Sequence, residues 1–435
     1  MERTLIGDIP HKKDTEILIE GWVEVRRDHG KLMFLVLRDR SGSVQAMAKD
    51  DALEQSQPLR EQWVVRVHGI VRERPEEMKK DEQNGDVELH VNSVEILSEA
   101  AELPFDMDAE LNLDTYLDYL PLTLRTQRAR DIFSIQATIV QTFRWALIQR
   151  GFIEFQAPAL TGGDAEGGGD AFTVAYFNDH TAYLATSPQL YKEIMTGAFE
   201  RVFTIAKIFR AEKSATTRHL AEVTQMDFEM GFIKDYTDVM KMLEAIMRDV
   251  CAAVVKQHAD VFARFNTKAP LVPQGAFPVL TLREAQEIIN VDTSEPDLEP
   301  EHERQICAWA REEHGSDFVF ITHFPTHKRA FYSLPDPKNP ELSYSFDLLF
   351  KGLEINSGSQ RFHNHDALVA TLKERGLDPK HFEYYLQLHA YGVPPHGGCS
   401  TGLERITARM LDLSNVKEAA AFPRDMNRID SRLSE

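Results

Sequence analysis

Arg210, Glu212, Arg218 and His219 fall within one short stretch, Phe209-Arg-Ala-Glu-Lys-Ser-Ala-Thr-Thr-Arg-His-Leu220, which runs on to Asp227 and Glu229. Arginine's planar fork matches phosphate oxygens and its flat face stacks on aromatic rings, so this group suits a polyanion bearing a planar ring. Alternating apolar runs flank it, Arg201 to Phe209 and Leu220 to Phe232, and predict strand, loop, strand. Arg210 and Glu212 would share one face of the first strand, since strand side chains repeat every second residue. Taken alone, the stretch reads rather as a solvated hairpin with ordinary ion pairs.

Three further groups carry chemistry. Ser187-Pro188-Gln189-Leu190-Tyr191-Lys192 opens a helix: serine suits the N-cap and proline the first helical position. Gln189 and Lys192 would then share a face near the positive dipole end, where an anion finds a donor and a cation. Asp347 and Glu354 flank a turn at Lys351-Gly352, with Ser357 three residues on. A few oxygen ligands of this kind are what Mg²⁺ takes when substrate phosphates complete its shell, and Arg361 adds a fork for a carboxylate. Gly402-Leu403-Glu404-Arg405 begins a C-terminal helix, with a glycine that lets phosphate approach free backbone N–H groups. Read singly, these are also a capped helix with a surface lysine, an acidic hairpin and a weak glycine signal. The glycine-rich run from Gly162 to Gly169, with Asp164 and Glu166, lacks the lysine and the following Ser/Thr of a P-loop and suits a lid.

Elements to position these groups are legible along the chain. At 435 residues there is room for two or three domains, and 43% hydrophobic with 27% charged residues is ordinary globular composition. No apolar run approaches the ~20 residues that span a bilayer, and the N-terminus lacks a secretory pattern. Cys251, Cys307 and Cys399 form no metal spacing, which with the missing leader places the chain in a reducing cytoplasm. The net charge of −20 opposes indiscriminate nucleic-acid binding. A local basic surface, such as Arg26, Arg27, Lys31, Arg38 and Arg40, acts nearly independently once screening sets in over roughly 10 Å. Strands at Ile17 to Val25, Leu32 to Leu37 and Val44 to Ala48, a helix near Asp51 to Arg60, and strands at Trp63 to Val71 and Val87 to Leu97 follow the order of a five-stranded OB barrel. On its open face Phe34 would stack a base or else belong to the core. Residues 99–128 read as a hinge. A long amphipathic helix from Gln127 to Arg150 follows, buried through Ile132, Ile135, Ile139, Phe143 and Leu147 and stopped by Gly151. Strands beyond it come as hairpins, predicting an α+β domain over 129–435 whose mainly antiparallel sheet is flanked by helices.

In this order the pieces resemble a class II aminoacyl-tRNA synthetase of the aspartate, asparagine and lysine subgroup, over essentially the whole length. Gly151-Phe-Ile-Glu-Phe-Gln-Ala-Pro158 resembles motif 1, residues 201–232 motif 2, and Gly402-Leu-Glu-Arg405, running on to 413, motif 3. The strings Ser187 to Lys192, Glu354-Ile-Asn-Ser-Gly-Ser-Gln-Arg361 and Tyr391-Gly-Val-Pro-Pro-His-Gly-Gly398 are most similar to aspartyl-tRNA synthetases of archaeal type. The resemblance implies that ATP and L-aspartate form aspartyl-adenylate, from which tRNA is charged. Glu166, Gln189, Leu190, Tyr191, Lys192, Arg210, Asp227, Ser357 and Arg361 would surround the amino acid. Arg210, Ala211, Glu212, Arg218, His219, Leu220, Glu354, Gly402, Leu403, Glu404 and Arg405 would hold ATP, with Arg210, Glu212 and Arg405 nearest the chemistry. Asp347, Glu354 and Ser357 would bind Mg²⁺, and motif 1 would build a homodimer. Ser400 departs from the family's usual glycine, and Cys399 stands where an aromatic is common.

Lys192 with Arg361 gives positive charge for aspartate's carboxylate, whereas asparagine's amide would be poorly paired there. The residues 1–98 would bind the anticodon through His29, Phe34, Gln45 and Pro75. His29 and Pro75 resemble non-discriminating members, which load aspartate onto both tRNA(Asp) and tRNA(Asn), the latter for a downstream amidotransferase. The alternatives are an enzyme confined to tRNA(Asp), an asparaginyl enzyme, a binding paralogue without activation, and a tRNA-independent amide-forming ligase.

Overall fold

A computed structural model describes residues 1–163, 171–211, 213 and 216–433. The chain divides into two compact units, Met1–Ala109 and Glu110–Glu435.

In the first unit β1 (Glu16–Asp28), β2 (Met33–Asp39), β3 (Gly42–Ala48), β4 (Val64–Glu73) and β5 (Val87–Ser98) close a barrel in the order β1-β2-β3-β5-β4. Alternation decides its inside: Met33, Leu35 and Leu37 of β2 and Val44, Ala46 and Ala48 of β3 are buried, and Phe34, Gln45 and Met47 face outward. The helix between β3 and β4 is shorter than its pattern, α1 at Asp51–Ser56. Arg38 leaves the expected basic cluster: it is buried, paired with Glu24 at 2.6 Å and stacked on the Trp22 ring.

In the second unit two short helices, Leu113–Asp118 and Leu120–Thr123, lie within the stretch expected as a hinge. Asn112 caps the first of them through the Thr115 N–H, a local bond that competes with an extended linker. Helix α2 (Gln127–Gln149) buries all five stripe residues named from the sequence, and Gly151 takes φ +81° just beyond it. The sheet uses β6 (Ile153–Glu154), β7 (Arg201–Phe209), β8 (Glu222–Gly231), β9 (Val279–Thr281), β10 (Phe318–Thr322), β11 (Ser345–Phe350), β12 (Leu353–Gln360) and β13 (His396–Gly402). Their order is β9-β10-β11-β12-β13-β8-β7-β6, antiparallel within and parallel at the two edge pairs. Lys351 and Gly352 turn β11 into β12 with φ +46° and +82°, the left-handed pair of a tight hairpin.

The two faces of this sheet differ in kind. One row of cross-strand partners, Phe346, Gly358, Cys399, Phe228 and Phe203, packs with α2 and α4 (Tyr236–Gln257) into the main apolar core. The adjacent row, Asp347, Ser357, Ser400, Asp227 and Thr204, points the other way. Cys399 is therefore a core residue, which accounts for its small apolar side chain beside Gly358.

Candidate active site

The polar row carries the candidate chemistry, because one register places one residue from each of five strands side by side. A cleft above it is lined by Arg210, Arg218, His219 and Leu220 from the β7–β8 connection, Glu354 and Ser357 from β12, and Gly402, Glu404 and Arg405 at the start of α6 (Leu403–Met410). Residues separated by almost two hundred positions thus converge as expected. Strand β7 ends at Phe209, so Arg210 lies just past it, with its backbone N–H bonded to the Ala221 carbonyl. Glu212 and Glu166 lie outside the described residues.

Two cations in the cleft, Arg405 and Arg218, are held by acids. Arg405 Nη1 donates to the Glu354 carbonyl at 3.0 Å and approaches Glu354 Oε2 at 3.3 Å. Arg218 donates to Glu303 on α5 (Pro300–His314), and Glu303 also accepts from the Glu354 N–H at 3.0 Å. Glu404 turns inward instead: both its oxygens accept from the Thr224 N–H, at 3.1 and 3.0 Å, tying α6 to β8. Leu403 belongs to the core, and Leu190 packs in a separate apolar cluster. Tyr191 is raised in pKa by burial and by Tyr384. Ala211 follows Arg210 beyond the end of β7 and is half-buried.

Helix α3 (Gln189–Phe199) starts one residue later than its sequence suggests. Pro188 takes the N-cap position, and the Ser187 hydroxyl accepts from the Gln189 N–H at 3.2 Å. Lys192 is no surface lysine but is fully buried. Its Nζ lies 2.9 Å from Asp227 Oδ2, 3.5 Å from Glu229 Oε2 and 3.4 Å from the Cys399 carbonyl. Arg361 is also buried and forks onto Glu229 at 2.9 and 3.3 Å, with further bonds to Ser359 and the Gly398 carbonyl. A Cβ at Gly398 would collide with the Glu229 carboxylate, so that strand must carry glycine there. Ser400 Oγ donates to Asp227 Oδ1 at 2.6 Å. The two cations expected for a carboxylate ligand thus already alternate with two carboxylates.

Asp347 and Ser357 are partners across β11 and β12, and a bulge after Leu348 sets Glu354 opposite Leu349. Arg329 spans the first two, donating to Asp347 at 3.1 and 2.6 Å and to Ser357 Oγ at 3.1 Å. Burial, opposed by Arg329 and reinforced by the charge of Glu354, lifts Asp347 to about 6. Asp347, Ser357 and the nearby Glu354 are oxygen ligands of the kind a hard cation prefers, with Arg329 lying against the first two.

Behind the row, Glu193, His389 and His396 bring ligand atoms within 4.8 Å of one another. His389 Nε2 faces the Phe362 carbonyl at 3.1 Å while its Nδ1 is buried without a hydrogen-bond partner, and the other two residues are already engaged. Glu193 accepts from Gln189 Nε2 at 2.6 Å, Tyr385 Oη at 2.6 Å and His396 Nε2 at 3.1 Å, and His396 Nδ1 faces the Pro394 carbonyl at 2.9 Å.

In the barrel unit His29 and Phe34 meet edge to face, with ring centroids 5.6 Å apart. Gln45 bonds Glu88 at 3.1 Å, and Pro75 is exposed ahead of a helical turn, Glu76–Met78. Phe34 and Gln45 share the outward barrel face.

The sequence assigns no site role to Arg329, Glu229, Glu193 or Glu303. Glu229 carried a signal, since it lies two residues beyond Asp227 and so on the same strand face. The other three meet their partners only through the tertiary fold.

Residues 112–426 match tRNA synthetases class II (D, K and N), and residues 17–97 match the OB-fold nucleic acid binding domain. The Aspartate–tRNA(Asp/Asn) ligase of Thermus thermophilus is 40% identical over 98% of this chain and 99% of its own. The Aspartate–tRNA(Asp) ligase of Thermoplasma acidophilum is 36% identical over 99% of this chain and 100% of its own. Among solved structures, asparaginyl-tRNA synthetase from Pyrococcus horikoshii complexed with asparaginyl-adenylate superposes with a TM-score of 0.90 at 31% identity, covering 99% of both chains.

Proposed function

The chain belongs to the class II tRNA synthetases (D, K and N), and from that premise we propose that it attaches L-aspartate to tRNA(Asp) and also to tRNA(Asn) through aspartyl-adenylate. The observation that carries this reading is the single polar row from Asp347 to Asp227, which joins the cationic cleft to the Lys192–Arg361 cluster. ATP is the energy-supplying substrate of this class. Its phosphates would meet Arg210, Arg218, His219 and Arg405 in the cleft. An aspartate α-carboxylate oxygen attacks the α-phosphorus and pyrophosphate leaves; fixed cations stabilise the charge on phosphate oxygens. The tRNA's terminal ribose hydroxyl then attacks the activated carbonyl and AMP leaves. Asp347, Glu354 and Ser357 would hold Mg²⁺, which supplies positive charge to the phosphate oxygens when bound.

Aspartate is favoured by the names of relatives that span this whole chain. One observation favours asparagine as a second reading: Asp227 and Glu229 already neutralise Lys192 and Arg361, and a neutral cluster also accommodates an amide. Loading of tRNA(Asn) is supported by the Asp/Asn relatives and by the outward face of Phe34 and Gln45 with His29 and Pro75. A tRNA-dependent amidotransferase would then consume the product. Trp145, Ile148 and Ile153 stand exposed near edge strand β6 and support a homodimer through motif 1. Among the described residues no helix is long and apolar enough to cross a membrane, in keeping with work in the cytoplasm. Charging purified tRNA(Asp) and tRNA(Asn) with labelled aspartate tests the assignment. Both should be charged, and Pro75→Lys should depress tRNA(Asn) selectively; failure of wild type to charge tRNA(Asn) would confine it to tRNA(Asp).

A further inference from the structure

Glu193 has no place in the proposed chemistry, yet it is fully buried and anchors three groups behind the amino-acid subsite. Its carboxylate only accepts hydrogen bonds. Gln189, four residues earlier on α3, must therefore turn its NH₂ towards Glu193 Oε1, at 2.6 Å, and its carbonyl away. Tyr385 Oη and His396 Nε2 occupy Glu193 Oε2 at 2.6 and 3.1 Å. His396 faces an acceptor at each ring nitrogen, the Pro394 carbonyl and Glu193, so it is an imidazolium that keeps Glu193 charged and accepting. The carboxylate is thus held from the rear and cannot rotate to offer anything but a lone pair.

We propose that Glu193, clamped by His396 and Tyr385, is a positioning residue that fixes Gln189 with its carbonyl towards the substrate's α-ammonium group. This rests on the reading of Gln189 as part of the aspartate subsite. A carbonyl accepts from an ammonium, whereas a flipped amide would present N–H to it and repel it. Gln at position 193 could donate as well as accept, which frees Gln189 to flip.

The test compares Glu193→Gln with wild type in pyrophosphate exchange, using succinate, which is aspartate without the ammonium group, as competitor. The KM for aspartate should rise about tenfold, as for a lost bond to a charged group, while succinate inhibition and the KM for ATP stay at wild-type values. Gln189→Met, which keeps the length and deletes the amide, should give the same split. Equal weakening of aspartate and succinate in either variant, or an unchanged aspartate KM in Glu193→Gln, overturns the proposal. Absence of aspartate-dependent exchange in wild type would instead overturn the aspartate reading itself.

Discussion

Ser400 Oγ donates to Asp227 Oδ1 at 2.6 Å across paired strands, and Lys192 Nζ holds the other oxygen of that carboxylate at 2.9 Å. The residue that departs from the family's glycine therefore takes over part of the carboxylate's support. Ser400→Gly should raise the KM for aspartate about tenfold, about 1.5 kcal/mol for a bond to a charged acceptor, and leave the KM for ATP unchanged. Steady-state exchange kinetics measure both; an altered ATP constant with an unaltered aspartate constant would contradict the assignment.

Glu303 links two parts of the ATP cleft, accepting from Arg218 and from the Glu354 N–H. Glu303→Gln keeps the shape and removes the charge that restrains Arg218. The KM for ATP should rise about tenfold, as for one lost charge-assisted bond, and that for aspartate should not. Equal effects on both substrates would show a general loss of structure instead.

The Glu193–His396 pair sets a pH window. Burial disfavours the His396 imidazolium, but the bond to Glu193 and the charge of Glu229 raise it above its ordinary 6.5. Burial pushes Glu193 up, yet His396, Arg361 and His389 bring it from 4.5 down to about 2. The histidine's contribution is complete below 6.5 and lost as pH climbs through the raised value. The glutamate's is complete above 4.5 and lost as pH falls towards 2. His396→Gln should therefore cost most between these limits, ~3–5 kcal/mol for a broken buried pair. The gap should narrow as pH rises beyond the histidine's titration. Urea unfolding of both proteins across that range checks it; a gap independent of pH would refute the pairing.

Cys251, Cys307 and Cys399 are all buried, and burial lifts each thiol to about 12. Native protein at about pH 8 should resist alkylation, because the thiolate is the nucleophile, and react fully once unfolded. Mass spectrometry after brief iodoacetamide treatment would reveal any cysteine wrongly placed in the core.

Much of this was legible in the sequence for a physical reason. Strand alternation and the α2 stripe are local patterns, and they located β10 at Phe318–Thr322 and the buried face of α2 directly. Cap chemistry was less secure: Pro188 is itself the N-cap, since Ser187 reaches the Gln189 N–H from one residue further back. Charge balance was the least legible. Lys192 and Arg361 looked like free cations because Asp227 and Glu229 meet them only once β8, β12, β13 and α3 are assembled. Arg329 gave no signal at all, as its partners Asp347 and Ser357 are fixed by a register and a bulge.

The central claim is that the polar row activates aspartate. Amino-acid-dependent exchange of labelled pyrophosphate into ATP measures that step without tRNA. Exchange should depend on L-aspartate and fail with L-asparagine, and Lys192→Met should abolish it. Exchange supported by asparagine and not by aspartate would contradict the assignment and make the neutralised Lys192–Asp227 and Arg361–Glu229 pairs an amide-binding site.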